Sequence, residues 1–233
     1  MCGFVGFMNK IDNAGRVVEA MMDAIRHRGP DAGGKYVDAD IALGHRRLSI
    51  IDVSEQGNQP LYSEDGKLVL CFNGEIYNYR EIREELIKKG HRFATNTDSE
   101  VLIYGYREYG TALLEKLRGM FAFVIWDKET RTLFGARDFF GIKPLYYAQM
   151  NGTLLFGSEI KAFLKHPAFE KELNTAALEE YLTFQYSAMD ETFFKGVYKL
   201  QPAHYFIYKD GKMDIHRYWD VHFKADETPS LDE

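Results

Sequence analysis

Two cysteines in 233 residues, Cys2 and Cys71, leave room for at most one disulfide, which excludes a cystine-stapled secreted scaffold. The seven His are scattered, and no Cys/His group has zinc-ligand spacing, so no metal site is expected. Positive charge is in deficit: 29 Lys and Arg against 35 Asp and Glu give a net charge of −6. That sign argues against a nucleic-acid partner, which normally meets a basic face. No apolar run approaches the roughly 20 residues of a membrane span, and Met1 to Met8 lacks the charged and long apolar regions of a secretory signal. The expectation is a cytoplasmic chain with neither nucleic-acid nor membrane partners. Internal repeats and low-complexity tracts are also missing.

What is present is an ordinary globular composition, 45% hydrophobic and 27% charged, with 17 Phe and 15 Tyr suited to a sheet-rich core. Strands are expected at Cys2 to Met8, Ile41 to Arg46, Lys67 to Phe72, Met120 to Trp126, Thr132 to Ala136, Leu145 to Ala148 and Thr153 to Phe156. Their short connections favour antiparallel pairing. His204 to Tyr208 and Met213 to Tyr218 flank Asp210-Gly211 and read as a hairpin. Helices are expected over Val17 to Ile25, from an Asn78 cap with Glu81 to Lys89, and from Asn174 to about Phe184. A further helix should open on a Thr97–Glu100 capping box, which puts Asp98 and Ser99 in its first turn. The fold class is α+β, two antiparallel sheets stacked face to face with helices outside.

Three features carry chemistry. Cys2 follows the initiator Met, and an N-terminal Cys has its own α-amine, with an ordinary pKa of about 7.7–8.0, beside its thiol. Asn73-Gly74-Glu75 follows a strand; the Asn73 amide and the Gly74 N–H form a candidate oxyanion hole, Gly allowing an unusual backbone conformation. Arg47 suits a substrate carboxylate through two parallel hydrogen bonds, and Glu75 and Asp98 suit an ammonium.

Eight segments in register extend these features over residues 2 to about 220. They are Met1-Cys2-Gly3-Phe4-Val5-Gly6, Arg26 to Asp31, His45 to Asp52, Asn73 to Asn78, Thr97 to Glu100, Leu117 to Phe123, Ala136 to Tyr147 and Phe156 to Lys161. In this pattern the chain resembles the class II glutamine amidotransferases, most closely the N-terminal half of glutamine-hydrolysing asparagine synthetase. The resemblance implies a four-layer αββα sandwich of N-terminal-nucleophile hydrolase type and hydrolysis of L-glutamine to glutamate and ammonia. It implies Cys2 as nucleophile, Asn73 and Gly74 as oxyanion donors, and Arg47 on the α-carboxylate with the backbone of Leu48, Ile50 and Ile51 lining the site. Glu75 and Asp98 then hold the α-amine. The glutaminase site would need no cofactor, and a homodimer is a family expectation.

Residues 2–218 are expected to form the glutaminase domain and 219–233 a linker toward a C-terminal synthetase domain, which would use ATP and magnesium to amidate aspartate. No Ser-Gly-Gly-x-Asp-Ser pyrophosphate loop occurs in the chain, so that domain or a separate acceptor chain is needed to use the ammonia. The alternatives are the glutaminase domain of another class II amidotransferase, and a regulatory module that binds glutamine without turnover. Arg28-Gly29-Pro30-Asp31 and Arg137-Asp138 read as loop organisers, and Cys71 as core. With Met1 attached the Cys2 nitrogen is an amide, so the Met1-bearing form is expected to be inactive.

Overall fold

The computed structural model describes residues 1–9, 11–49, 54–187 and 189–223. Along them run β1 (Gly3–Met8), α1 (Ala14–Ala24), β2 (Ala32–Val37), β3 (Ile41–Arg47), β4 (Leu61–Tyr62) and β5 (Leu68–Ile76). Then follow α2 (Tyr79–Lys88), α3 (Glu100–Tyr109), α4 (Leu113–Lys116), β6 (Gly119–Asp127), β7 (Thr132–Arg137), β8 (Tyr146–Met150) and β9 (Thr153–Gly157). The last elements are α5 (Thr175–Phe184), β10 (Val197–Lys199), β11 (His204–Lys209) and β12 (Lys212–Arg217). The strands make two six-stranded sheets, ordered β10-β8-β9-β1-β3-β2 and β12-β11-β7-β6-β5-β4. The strand pairings within both sheets are antiparallel.

Period-2 alternation sorts the strand side chains into layers. In β5, Leu68, Leu70 and Phe72 join Ile82 and Leu86 of α2 and Val101 to Ile103 of α3 in one core. Val69 and Cys71, on the opposite face, meet Phe4, Ile41 and Leu43 of the other sheet. Val5 and Phe7 turn outward from β1 and pack on Val18, Met21 and Met22 of α1. Three stacked cores separate four layers, the expected αββα sandwich. No helix among the described residues is long and apolar enough to cross a membrane.

Several local expectations differ from the structure. Asn73-Gly74-Glu75 does not follow a strand but belongs to β5, because Asn73, Gly74 and Glu75 pair with Ala122, Phe121 and Met120 of β6. Gly74 has no left-handed backbone there; it is required by close approach, since a Cβ would stand 2.2 Å from the Met120 carbonyl oxygen. The Thr97–Glu100 capping box does not form. Glu100 accepts instead from the Ala94 and Thr95 N–H groups, at 2.8 Å each, and α3 starts at Glu100 itself, leaving Asp98 ahead of the helix. Asn78 bonds Lys116 O and Arg118 N rather than capping α2 by its side chain. By contrast Asn174 caps α5 through Ala177 N, and Asp210 and Gly211 both take positive φ in the β11–β12 turn. Strands β2, β4 and β10 lie outside the expected strands; β2 reads Ala-Gly-Gly-Lys-Tyr-Val, with two glycines masking its alternation.

Candidate active site

The site lies at one end of the sandwich, between the sheets, where the start of β1 meets the C-terminal ends of β3 and β5. Gly3 pairs with Arg46, which sets Cys2 beside the Arg47–Leu48 backbone. The Leu48 N–H donates to the Cys2 Sγ at 3.3 Å, and the thiol reaches Leu48 O at 3.5 Å. Arg28 donates from Nε to the Cys2 carbonyl at 2.9 Å and pairs through Nη1 with Glu159 at 3.0 Å. Arg28 therefore ties the backbone of Cys2 to the Glu159 carboxylate.

A cavity of about 150 Å³ opens here. Cys2, Arg47, Leu48, Asn73, Gly74, Glu75 and Asp98 all line it, so the structure brings together seven of the nine residues singled out from sequence. Ile50 and Ile51 lie outside the described residues. Gln59, Lys143 and Met1 also line the cavity and were not singled out. Lys143 sits inside the Ala136 to Tyr147 segment, but its spacing gives no hint of where its side chain goes; Gln59 carries no sequence signal at all.

The geometry of β5 directs donors into this space. Phe121, opposite Gly74, receives the Asp138 N–H on its carbonyl and gives its own N–H to the Asp138 carboxylate. The Gly74–Phe121 pair is thus a non-hydrogen-bonded one, and the Gly74 N–H points away from β6. It emerges on the edge where the Phe72 N–H meets Gln59 Oε1 at 2.7 Å and the Ile76 N–H meets Asp98 Oδ2 at 2.8 Å. Asn73 is only 1% exposed, and its Nδ2 is buried with no hydrogen-bond partner among the described residues. A buried donor left open is rare enough to call for an explanation.

The charges are held firmly. Arg47 is buried and donates from Nη1 to Ser54 O at 2.7 Å and to Asn58 Oδ1 at 2.8 Å. Burial pushes the Asp98 carboxyl up to about 6, and the nearby Glu75 charge adds to this, against the lowering pull of the Ile76 N–H. Cys71 behaves as core: it is fully buried, and desolvation raises its thiol far above the ordinary range.

His45, on β3 and facing the other sheet, joins the two sheets by a 2.9 Å hydrogen bond between Nε2 and Phe72 O. The carbonyl can only accept, so Nε2 carries the proton. Burial first, then the Arg47 charge, lowers the His45 pKa to about 4; desolvation lowers His166 to about 4 as well. Both folded values lie below the unfolded 6.5, so the unfolded chain takes up protons first on acidification. Stability should therefore be fullest above pH 6.5 and fall toward pH 4, with His45 alone contributing on the order of 3 kcal/mol. Asp98, raised from 3.8 to about 6, offsets part of this loss. Melting temperatures from pH 7 to 4.5 check the slope; His45→Gln, which keeps an N–H for Phe72 O, should flatten it, and an unaltered slope would contradict the assignment.

The chain matches the glutamine amidotransferase domain family over residues 1–219. It is 45% identical to asparagine synthetase (glutamine-hydrolysing) 1 of Bacillus subtilis, over 98% of this chain and 37% of that protein. It is 40% identical to an amidase of Gibberella zeae, over 88% of this chain and 30% of that one. The chain thus spans about a third of the length of the curated relatives it matches. Among solved structures, a glutamine phosphoribosylpyrophosphate amidotransferase from B. subtilis superposes with a TM-score of 0.70 at 21% identity, covering 93% of this chain and 49% of that one. At that identity the likeness shows the fold alone, and it is the fold described above. With the family matched over nearly its whole length, the chain is a member of the class II glutamine amidotransferases.

Proposed function

We propose that this chain, once Met1 is removed, hydrolyses L-glutamine to glutamate and ammonia at Cys2, as the ammonia-supplying part of an asparagine synthetase. The observation that carries the proposal is the open, buried Asn73 Nδ2 on the wall of the cavity that Cys2 lines. A donor with no partner in the resting site is what an oxyanion arising only during reaction needs.

The free α-amine of Cys2 takes the thiol proton, and Sγ attacks the side-chain amide carbon of glutamine. The negative charge that moves to the amide oxygen is held by Asn73 Nδ2 and the Gly74 N–H. The Cys2 ammonium returns the proton to the departing nitrogen, the C–N bond breaks, and ammonia leaves a γ-glutamyl thioester. Water, losing a proton to the amine, adds to the thioester; the C–S bond breaks, the thiolate is reprotonated, and glutamate is released. No step as written draws on a metal or organic cofactor; ATP and magnesium would serve a synthetase segment carried by a further domain or a separate chain. Arg47, its plane fixed by Ser54 and Asn58, takes the α-carboxylate. The Leu48 backbone, with that of Ile50 and Ile51 by resemblance, lines the site, and Glu75 and Asp98 take the α-ammonium. A cytoplasmic address, a homodimer and no nucleic-acid or membrane partner complete the reading. Two unpaired cysteines agree with a reducing compartment.

The Asp98 assignment has a pH signature. Its carboxyl titrates near 6 in the empty site, so glutamine must displace a proton to bind below that pH. The KM for glutamine should rise as pH falls through about 6, roughly tenfold for each further unit. Asp98→Asn should raise KM at pH 7.5 and lose the dependence; a wild-type KM flat from pH 7.5 to 5 would contradict the role. The similarity to an amidase keeps other ammonia acceptors, or none, as a second reading. The test of the proposal is to compare chains starting at Cys2 and at Met1. Equal amounts of glutamate and ammonia are expected from the first and no turnover from the second; a Cys2-started chain that binds glutamine but releases neither product would mark a regulatory module.

A further inference from the structure

Lys143 is a lysine with 5% exposure on the wall of the cavity, and the steps above give it no task. Its place is fixed from behind. The Asp138 carboxylate accepts from the N–H groups of Phe121 and Phe140 at 3.1 Å and of Ile142 and Lys143 at 2.9 Å. The Arg137 guanidinium holds the carbonyls of Lys143, Gly141 and Leu200 at 2.6–2.7 Å. A loop bound this fully delivers the side chain to one position, where Nζ lies 3.1 Å from the Met1 Sδ.

The charged and titratable groups that face Lys143 are Arg28, Asp138, Cys2 and Glu75. None of the carboxylates among the described residues reaches it as an ion pair. Asp138 is occupied by four backbone donors, and Arg28 is paired with Glu159. Burial, then the Arg28 charge, lowers the Lys143 pKa below its ordinary value. An unpaired buried cation beside the nucleophile is costly to keep, which asks for a function.

We propose that Lys143 is a positioning charge that acts through Cys2, holding the α-amine released by Met1 cleavage in its free-base form. This rests on the glutaminase reading. An ordinary α-amine titrates at about 7.7–8.0 and is mostly protonated at pH 7, where it is no base. A like charge on the wall of the same cavity, poorly solvated, favours loss of that proton.

The test is the pH dependence of kcat at saturating glutamine for the Cys2-started chain, which separates the amine from the binding effect of Asp98. Lys143→Met should move the acid limb up by about one pH unit, and Lys143→Arg should leave it near the wild-type position. A limb that stays in place in Lys143→Met, whatever its kcat, overturns the proposal; loss of packing alone lowers kcat without moving the midpoint. A second measurement needs no variant: carbamylation of the wild-type Cys2 amine by cyanate, read by mass spectrometry of the N-terminal peptide across pH. Its midpoint should fall below the ordinary 7.7, and a midpoint at or above that value refutes the role. A chain that releases no glutamate at any pH fails the glutaminase reading; an active chain with an ordinary amine fails only this one.

Discussion

Cys2→Ala, prepared with Met1 removed, should lose glutamate release by at least about a thousandfold while still binding glutamine. The expectation follows from what the thiol touches. Its only hydrogen-bond contacts among the described residues are the two long sulfur contacts with Leu48, so removing Sγ leaves β1 paired with β3 and β9 and leaves Arg28 on the Cys2 carbonyl. The groups proposed to bind glutamine, Arg47, Glu75 and Asp98, stand on other elements and keep their own supports. Turnover and binding should therefore separate cleanly, which isothermal titration beside a glutamate assay would measure. Comparable turnover in Cys2→Ala would place the nucleophile elsewhere; loss of both properties together would point to a folding defect.

Asn73→Ala should lower kcat by about a hundred- to a thousandfold, the loss expected for one oxyanion donor, about 2.7–4 kcal/mol, with KM changed little. The asymmetry comes from Nδ2 having no partner in the resting site. A donor bonded to nothing before reaction stabilises neither the fold nor the bound substrate, so its removal should fall on the transition state. A mutant that unfolds readily, or whose KM carries the whole effect, would contradict this. The Gly74 N–H has no comparable single-atom deletion, and Gly74→Ala would press a Cβ onto the Met120 carbonyl and disturb β5 against β6.

The central strands were legible as buried on both faces, because Phe4, Val5 and Phe7 in β1 and Leu68 to Phe72 in β5 belong to runs with no polar face, and the structure divides each run between two cores. Strand β2 was not, because an edge strand with two glycines and half its residues exposed has little apolar periodicity to read. The start of α3 departs from its sequence signal for a different reason. Thr97 and Glu100 have the spacing of a capping box, but Glu100 is drawn to the backbone of Ala94 and Thr95 and leaves Asp98 free to meet Ile76. Local chemistry makes Cys2, Arg47 and Asn73 candidates in the sequence, and the resemblance to a family gives each its role. Lys143 and Arg28 show the limit of such reading. Each enters the site by way of partners distant in sequence, the Leu200 carbonyl that helps fix the Lys143 loop and the Glu159 carboxylate beside Arg28. No local pattern records those contacts.

Cys2 should carry the γ-glutamyl group between two half-reactions. Rapid acid quenching of the Cys2-started chain during turnover, followed by digestion and mass spectrometry, tests it most directly. A γ-glutamyl adduct on the N-terminal peptide, labile to hydroxylamine and missing from Cys2→Ser and from Met1-bearing chain, is the predicted result. Turnover under the same conditions with no adduct on that peptide, or with an adduct on Cys71, would contradict it.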